Sequence, residues 1–241
     1  GTEAVMGAVR TARGFTHRNR VVIVEGGFHG LHDEMMWKSD VENWDSESGL
    51  VPNIIPFGAG IPASTRDLVD FIPLNNAETL AQLFAAKGEQ IAAVLLEPIM
   101  GNCGSIAATP AWLQQLRDTC TQHGAMLIVD EVKTGFRVAP GGAQELYGIH
   151  ADLTTYAKAM GNGYPVACFG GRAEVMDVIG AGGGVVHGGT YTANLVALSA
   201  ANATLEILAS TDAIDTVNRA GAAIRDVLGR VFAAAGIEHR F

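Results

Sequence analysis

Ionisable and aromatic side chains gather at the ends of short apolar runs in this sequence. Glu97 ends the run 91–97, and Asp130 ends the run 125–130 with Glu131 beside it. Lys158 follows the run 152–156 closely, and Phe28 and His29 follow the run 21–25 after two glycines. Apolar runs of this length, without polar alternation, read as strands covered on both faces. In an open sheet of such strands, ligands bind beyond the carboxyl ends. These residues therefore share one rim, and the chemistry on offer there is an amine nucleophile together with carboxylates.

Each residue also has a plainer reading. A carboxylate after an apolar run ordinarily caps the next turn or pairs with an arginine, and Glu97 alone favours that role. Asp130 is harder to set aside, because two carboxylates sit together in Val129-Asp130-Glu131-Val132. A lone lysine is ordinarily a solvated surface group. Lys158, however, has the small or apolar neighbours Ala157, Ala159 and Met160, with Gly161-Asn162-Gly163 following. A lysine in apolar surroundings can act as an amine nucleophile. The glycines of 180–184 lack the Lys-Ser/Thr of a phosphate-binding P-loop and read as a surface loop. Gly161-Asn162-Gly163 is not followed by a dinucleotide fingerprint either.

Elements must hold these groups in place. Helices are expected over 4–15, 77–87, 110–123, 192–208 and 212–235, the third with Pro110 in its first turn. Strands are expected over 21–25, 91–97, 125–130, 152–156 and 166–170, and 26–62 reads as loop-rich. The Ala-rich helix over 192–208 is expected in the core, with a share in a subunit interface. The alternation of runs and helices predicts an α/β protein with a mostly parallel central sheet flanked by helices. The final residues 236–241 read as the approach to a further strand.

Bulk composition narrows the class. The chain has 241 residues, 48% hydrophobic and 17% charged, which suits a packed core rather than disorder. A formal charge of -9 argues against nucleic acid as a partner. Three cysteines, an odd number and well separated, fit neither a disulfide framework nor a zinc knuckle, and a reducing cytoplasm fits best. Cys103 and Cys120 are expected to be inert. No apolar run is long enough to span a membrane, and no signal peptide is evident. Both ends read as cut from a longer chain.

With these residues in view, the sequence resembles the class III aminotransferases. Leu127-Ile-Val-Asp-Glu-Val-Lys-Thr-Gly-Phe-Arg137 resembles their aspartate motif, and Asp152-Leu-Thr-Thr-Tyr-Ala-Lys-Ala-Met-Gly-Asn-Gly-Tyr-Pro165 their lysine motif. Gly1-Thr2-Glu3-Ala4 is similar to their phosphate-loop segment. Gly27-Phe28-His29-Gly30 is similar to the segment with an aromatic residue, His and Gly. Gly188-Gly189-Thr190-Tyr191 is similar to the late segment whose Thr reaches a phosphate. Each motif alone is weak, but the five in family order make a specific signal. Within the class the subgroup of glutamate-1-semialdehyde aminomutase and its aminotransferase relatives looks nearest.

The resemblance implies the large domain of the fold type I transferases, with residues 1–210 in that domain and 211–241 starting a smaller one. It implies pyridoxal phosphate as cofactor. Lys158 becomes the Schiff-base lysine and proton carrier, and Asp130 the partner of the pyridine nitrogen. Phe28 stacks on one ring face and Val132 presses on the other. Gly1 and Thr2 contact the phosphate. His29 belongs to the cofactor-binding set and needs no metal, despite His32 and Asp33 nearby. Glu97 and Asn102 line the same rim. Thr190 reaches the neighbouring site of a homodimer. Phe28 departs from the family's frequent Tyr, and the Ser expected ahead of Gly1 is absent. The family is longer at both ends, where substrate-pocket and dimer residues lie. The activity implied is transfer of an amino group from an amine or amino acid to a carbonyl or keto acid. An aminomutase of the glutamate-1-semialdehyde type is the alternative, and an inactive cofactor-binding fragment is the third reading.

Overall fold

The computed structural model describes residues 1–43, 53–180 and 182–239. Residues 44–52 of the loop-rich stretch, Ala181 among the glycines, and Arg240 and Phe241 of the expected final strand lie outside the described residues. In chain order the helices are α1 (Thr2–Thr16), α2 (Ala77–Lys87), α3 (Pro110–His123), α4 (Gly142–Tyr147), α5 (Ala173–Met176), α6 (Leu195–Ser210) and α7 (Ala213–Ala234). The strands are β1 (Arg20–Val24), β2 (Trp37–Ser39), β3 (Ile54–Pro56), β4 (Val69–Ile72), β5 (Ile91–Leu96), β6 (Ile99–Met100), β7 (Ile106–Ala107), β8 (Met126–Asp130), β9 (Leu153–Tyr156) and β10 (Cys168–Gly171).

Helix ends follow local chemistry. Asn76 accepts a hydrogen bond from the Thr79 N–H at the start of α2, and Thr109 accepts from Trp112 N–H at the start of α3. Gly124, at φ 65°, closes α3 in the left-handed conformation that glycine adopts without strain. α1 runs on through Gly14 and stops at Thr16, where His17 turns left-handed.

The central sheet has the order β10-β9-β8-β5-β1-β4, parallel throughout except for β10 against β9. Alternate residues of each strand face opposite sides. Val22, Val24, Val94, Leu96, Leu127 and Val129 pack against α2 and α3 through Leu83, Phe84, Leu113 and Leu116. Val21, Ile23, Ala93, Leu95, Met126, Ile128 and Leu153 pack instead against Val5, Ala8, Val9 and Ala12 of α1. The result is three layers with an apolar seam on each side of the sheet. Cys120 sits in the first seam, where burial pushes its thiol up to about 12. Cys103 and Cys168 are exposed instead, so the expectation of an inert Cys103 has no burial behind it.

Two readings of the sequence need correction. β4 was not expected, because Asp70 interrupts its apolar run. In the fold Asp70 is buried and neutralised from two sides, by Arg20 and by Lys87, each at 2.7 Å. The Ala-rich helix is not a core element either. α6 buries only Ala197 and Ala201, while Leu195 is 79% exposed. The helix starts at Leu195, where the Asn194 side chain accepts from Ala197 N–H. The loop-rich stretch also carries the short antiparallel pair of β2 and β3.

Candidate active site

Strand parity decides which side chains meet. Asp130 shares the parity of Met126 and Ile128, so it faces the α1 side at the end of β8. Its register partner on β9 is Thr155, which faces the same side. The Thr155 hydroxyl donates to Asp130 Oδ1 at 3.0 Å, and Val132 N–H donates to the same oxygen at 3.0 Å. His29 Nδ1 donates to Asp130 Oδ2 at 2.8 Å. Asp130 and His29 are each 2% exposed. A carboxylate this deep is costly without partners, and these three donors supply them. Thr155 was missed in the sequence. Its signal was available only once the β8–β9 register was known.

Glu131 faces the other way. Its carboxylate accepts from the N–H groups of Ala143 and Gln144, at 3.0 and 2.9 Å, and from the Thr134 hydroxyl. It caps the start of α4 and takes no part in the rim. The paired carboxylates thus divide into one at the cavity and one in the scaffold.

The cavity itself has a volume of about 490 Å³, within the roughly 300–1,000 Å³ of small-molecule sites. Its lining brings together Gly1, Thr2, Phe28, His29, Asp130, Val132 and Lys158 from the expected set. Lys158 opens the turn after β9 with a left-handed backbone, φ 44°, and its side chain is exposed at the cavity wall. Lys158 is therefore exposed rather than enclosed by its apolar neighbours, although Ala157 and Met160 beside it in sequence are buried. Glu97 is not in the lining. It accepts from Phe28 N–H at 2.9 Å and from Gly101 N–H at 3.2 Å. Asn102 also lies outside the lining and accepts a hydrogen bond from Lys133 Nζ. Thr190 is exposed and likewise outside the lining.

Several features suit a flat, anionic, aldehyde-bearing cofactor. Gly1 and Thr2, at the start of α1, line the cavity, so the first N–H groups of the helix can face an anion there. Thr2 Oγ1 accepts from Leu31 N–H at 3.3 Å, which leaves its own proton to donate. Gly30 lets that contact form: at φ +98°, a Cβ there would stand 2.7 Å from Thr2 Cα. The ring of Phe28 and the branched side chain of Val132 offer apolar surfaces for a flat ring. Asp130 offers a buried carboxylate to a protonated ring nitrogen, and Lys158 offers an amine. His29 Nε2, on the ring edge away from Asp130, packs against Gly27. The residues therefore fit pyridoxal phosphate. Among the described residues, no group of three His, Cys, Asp or Glu side chains could hold a metal ion.

The mostly parallel sheet with flanking helices, carrying Asp130 at the end of β8 and Lys158 after β9, has the fold type I architecture of the pyridoxal-phosphate transferases. The family model of the class-III aminotransferases matches residues 1–237, and the chain belongs to that family. It is similar to a transaminase solved with pyridoxal phosphate bound, at 30% identity and a TM-score of 0.88, over 99% of this chain and 55% of that one. It is similar to an omega-transaminase from Sphaerobacter thermophilus, at 35% identity and 0.89, over 98% and 54%. A glutamate-1-semialdehyde aminomutase from Pseudomonas aeruginosa PAO1 matches at 25% identity and 0.70, over 85% and 45%. The chain thus spans about half the length of these proteins. Likeness to the aminomutase is present but shallower than to these transaminases.

Proposed function

We propose that this chain carries the cofactor site of a pyridoxal-phosphate-dependent transaminase, which moves an amino group from an amine or amino acid to a carbonyl or keto-acid acceptor. The observation that carries this reading is the convergence of Asp130, Lys158, Phe28 and the first residues of α1, Gly1 and Thr2, on one cavity. When bound, pyridoxal phosphate supplies an electron sink through which an amino group passes between carbon skeletons. Asp130, held by His29, Thr155 and Val132 N–H, would keep a proton at the ring nitrogen, since a nearby carboxylate favours the charged form. Lys158 Nζ would anchor the cofactor and, when displaced, carry a proton to or from the substrate carbon. Gly1 and Thr2 would hold the phosphate. Phe28 and Val132 would clamp the ring and exclude water from its faces.

The intact enzyme is a homodimer in this reading, with Thr190 reaching the neighbouring site. Supporting this, Thr190 lies among exposed apolar residues, including Val186, Tyr191, Leu195 and Val196. A second groove lined by Leu195 and Val196 meets the first cavity at Tyr164, which lines both. Residues 1–210 form the large domain, and 211–241 begin a smaller one. A reducing cytoplasm suits its unpaired cysteines. No helix among the described residues is long and apolar enough to cross a membrane.

Stepwise transfer tests the reaction. The full-length protein is loaded with cofactor and treated with an amine donor. The donor is then removed and an unrelated keto acid added. Appearance of the matching amino acid supports the transaminase. Isomerisation of one substrate without an acceptor supports the aminomutase, and no conversion supports an inactive remnant.

A further inference from the structure

Glu97 stands at the carboxyl end of β5, is 2% exposed, and yet does not line the cavity. Its two oxygens hold two loops together. Oε1 accepts from the Phe28 amide, in the loop after β1, and Oε2 accepts from the Gly101 amide, in the turn that follows β6 four residues beyond Glu97 itself. β1 and β5 are neighbours, but the chain leaves them in opposite directions. The next large-sheet strand after β1 is β4, on one side, and the next after β5 is β8, on the other. Adjacent strands with diverging connections form a topological switch point, the place where open sheets bind ligands. Divergence also means that ladder hydrogen bonds no longer join the two loops. Glu97 spans that gap, and a weaker contact from Cys103 Sγ to Gly26 O at 3.4 Å spans it again.

Phe28 needs such a hold. Two glycines precede it, Gly26 at φ +90°, so the chain entering it is loosely restrained. Phe28 is 43% exposed and lines the cavity. The flanking bonds, from Gly27 N–H to Val24 O at 3.1 Å and from Leu31 N–H to Thr2 Oγ1, leave the Phe28 amide itself to Glu97.

We propose that Glu97 is a positioning residue that closes the switch point and sets the height of the Phe28 ring over the cofactor, without touching the cofactor itself. This rests on the functional reading above. Glutamine keeps the shape of Glu97 and one acceptor oxygen but turns an NH2 toward one of the two amides. Glu97→Gln therefore removes one of the two bonds with little change in volume.

The test uses the full-length protein as wild type, Glu97→Gln, Phe28→Ala and the double variant. Amide hydrogen exchange over residues 26–30 is measured without cofactor, and pyridoxal phosphate affinity is measured with it, together with the circular dichroism induced in its visible band. Glu97→Gln is expected to speed exchange at Phe28, lower the induced signal, and weaken cofactor affinity about tenfold, the scale of one charge-assisted hydrogen bond. The double variant is expected to bind no more weakly than Phe28→Ala, because Glu97 acts through the ring. Additive losses, or unchanged exchange in Glu97→Gln, overturn the proposal while leaving the transaminase reading intact. Failure of the wild type to bind pyridoxal phosphate overturns both.

Discussion

The sheet with its rim and the pair of C-terminal helices use the same apolar residue types to opposite ends. Around the sheet, leucine, isoleucine and valine are buried on both faces, and the rim groups stand on that packed base. In α6 and α7 the same residues point outward. Val217, Ile224, Leu228 and Val231 recur at helical spacing along α7, all exposed, and only Ile214 of that helix is buried. Exposed apolar stripes of this kind mark surfaces that meet something else. One region is thus a packed scaffold for chemistry, and the other leaves its apolar residues exposed.

That contrast can be broken by substitution. Leu95, fully buried against α1, is expected to cost about 2–5 kcal/mol when changed to alanine, read as a lowered denaturant midpoint. A loss under about 0.5 kcal/mol would mean that the seam is not packed as described. Asp130→Asn, on the rim above the seam, is expected to lower turnover by roughly 10²–10³-fold while cofactor binding changes far less. Near-normal turnover would remove Asp130 from its assigned place. In α7, the pair Ile224→Ser and Leu228→Ser is expected to leave the stability of this chain within about 0.5 kcal/mol, read from the same denaturant midpoint. A fall in stability as large as that at Leu95 would show the stripe already covered within the fold.

The same contrast explains what could be read from the sequence. The buried strands and α2 and α3 were legible because their patterns are local: continuous apolar runs, Asn76 and Thr109 as caps, Pro110 at a first turn. β4 was hidden because Asp70 breaks its run, and only the fold brings Arg20 and Lys87 to it. Asp130 and Lys158 stood out by their place after apolar runs. Thr155 did not, since it reaches Asp130 only through strand register, and His29, though read as a rim residue, showed its partner only in a contact 101 residues apart in sequence. Glu131 stands beside Asp130 in sequence, but parity sends its side chain to α4. α6 read as core because alanine and leucine look alike inside and at an interface, and periodicity says nothing about what lies opposite.

In the proposed function Lys158 anchors pyridoxal phosphate in the cavity beside Asp130. The most direct test of that role is to load the full-length protein with the cofactor, record the visible absorption spectrum, reduce with borohydride, and map the modified peptide. A visible band lost on reduction, with the cofactor fixed to Lys158 and absent from Lys158→Ala, is the predicted result. A band that persists in Lys158→Ala, or a label fixed at Lys133 instead, would contradict the account.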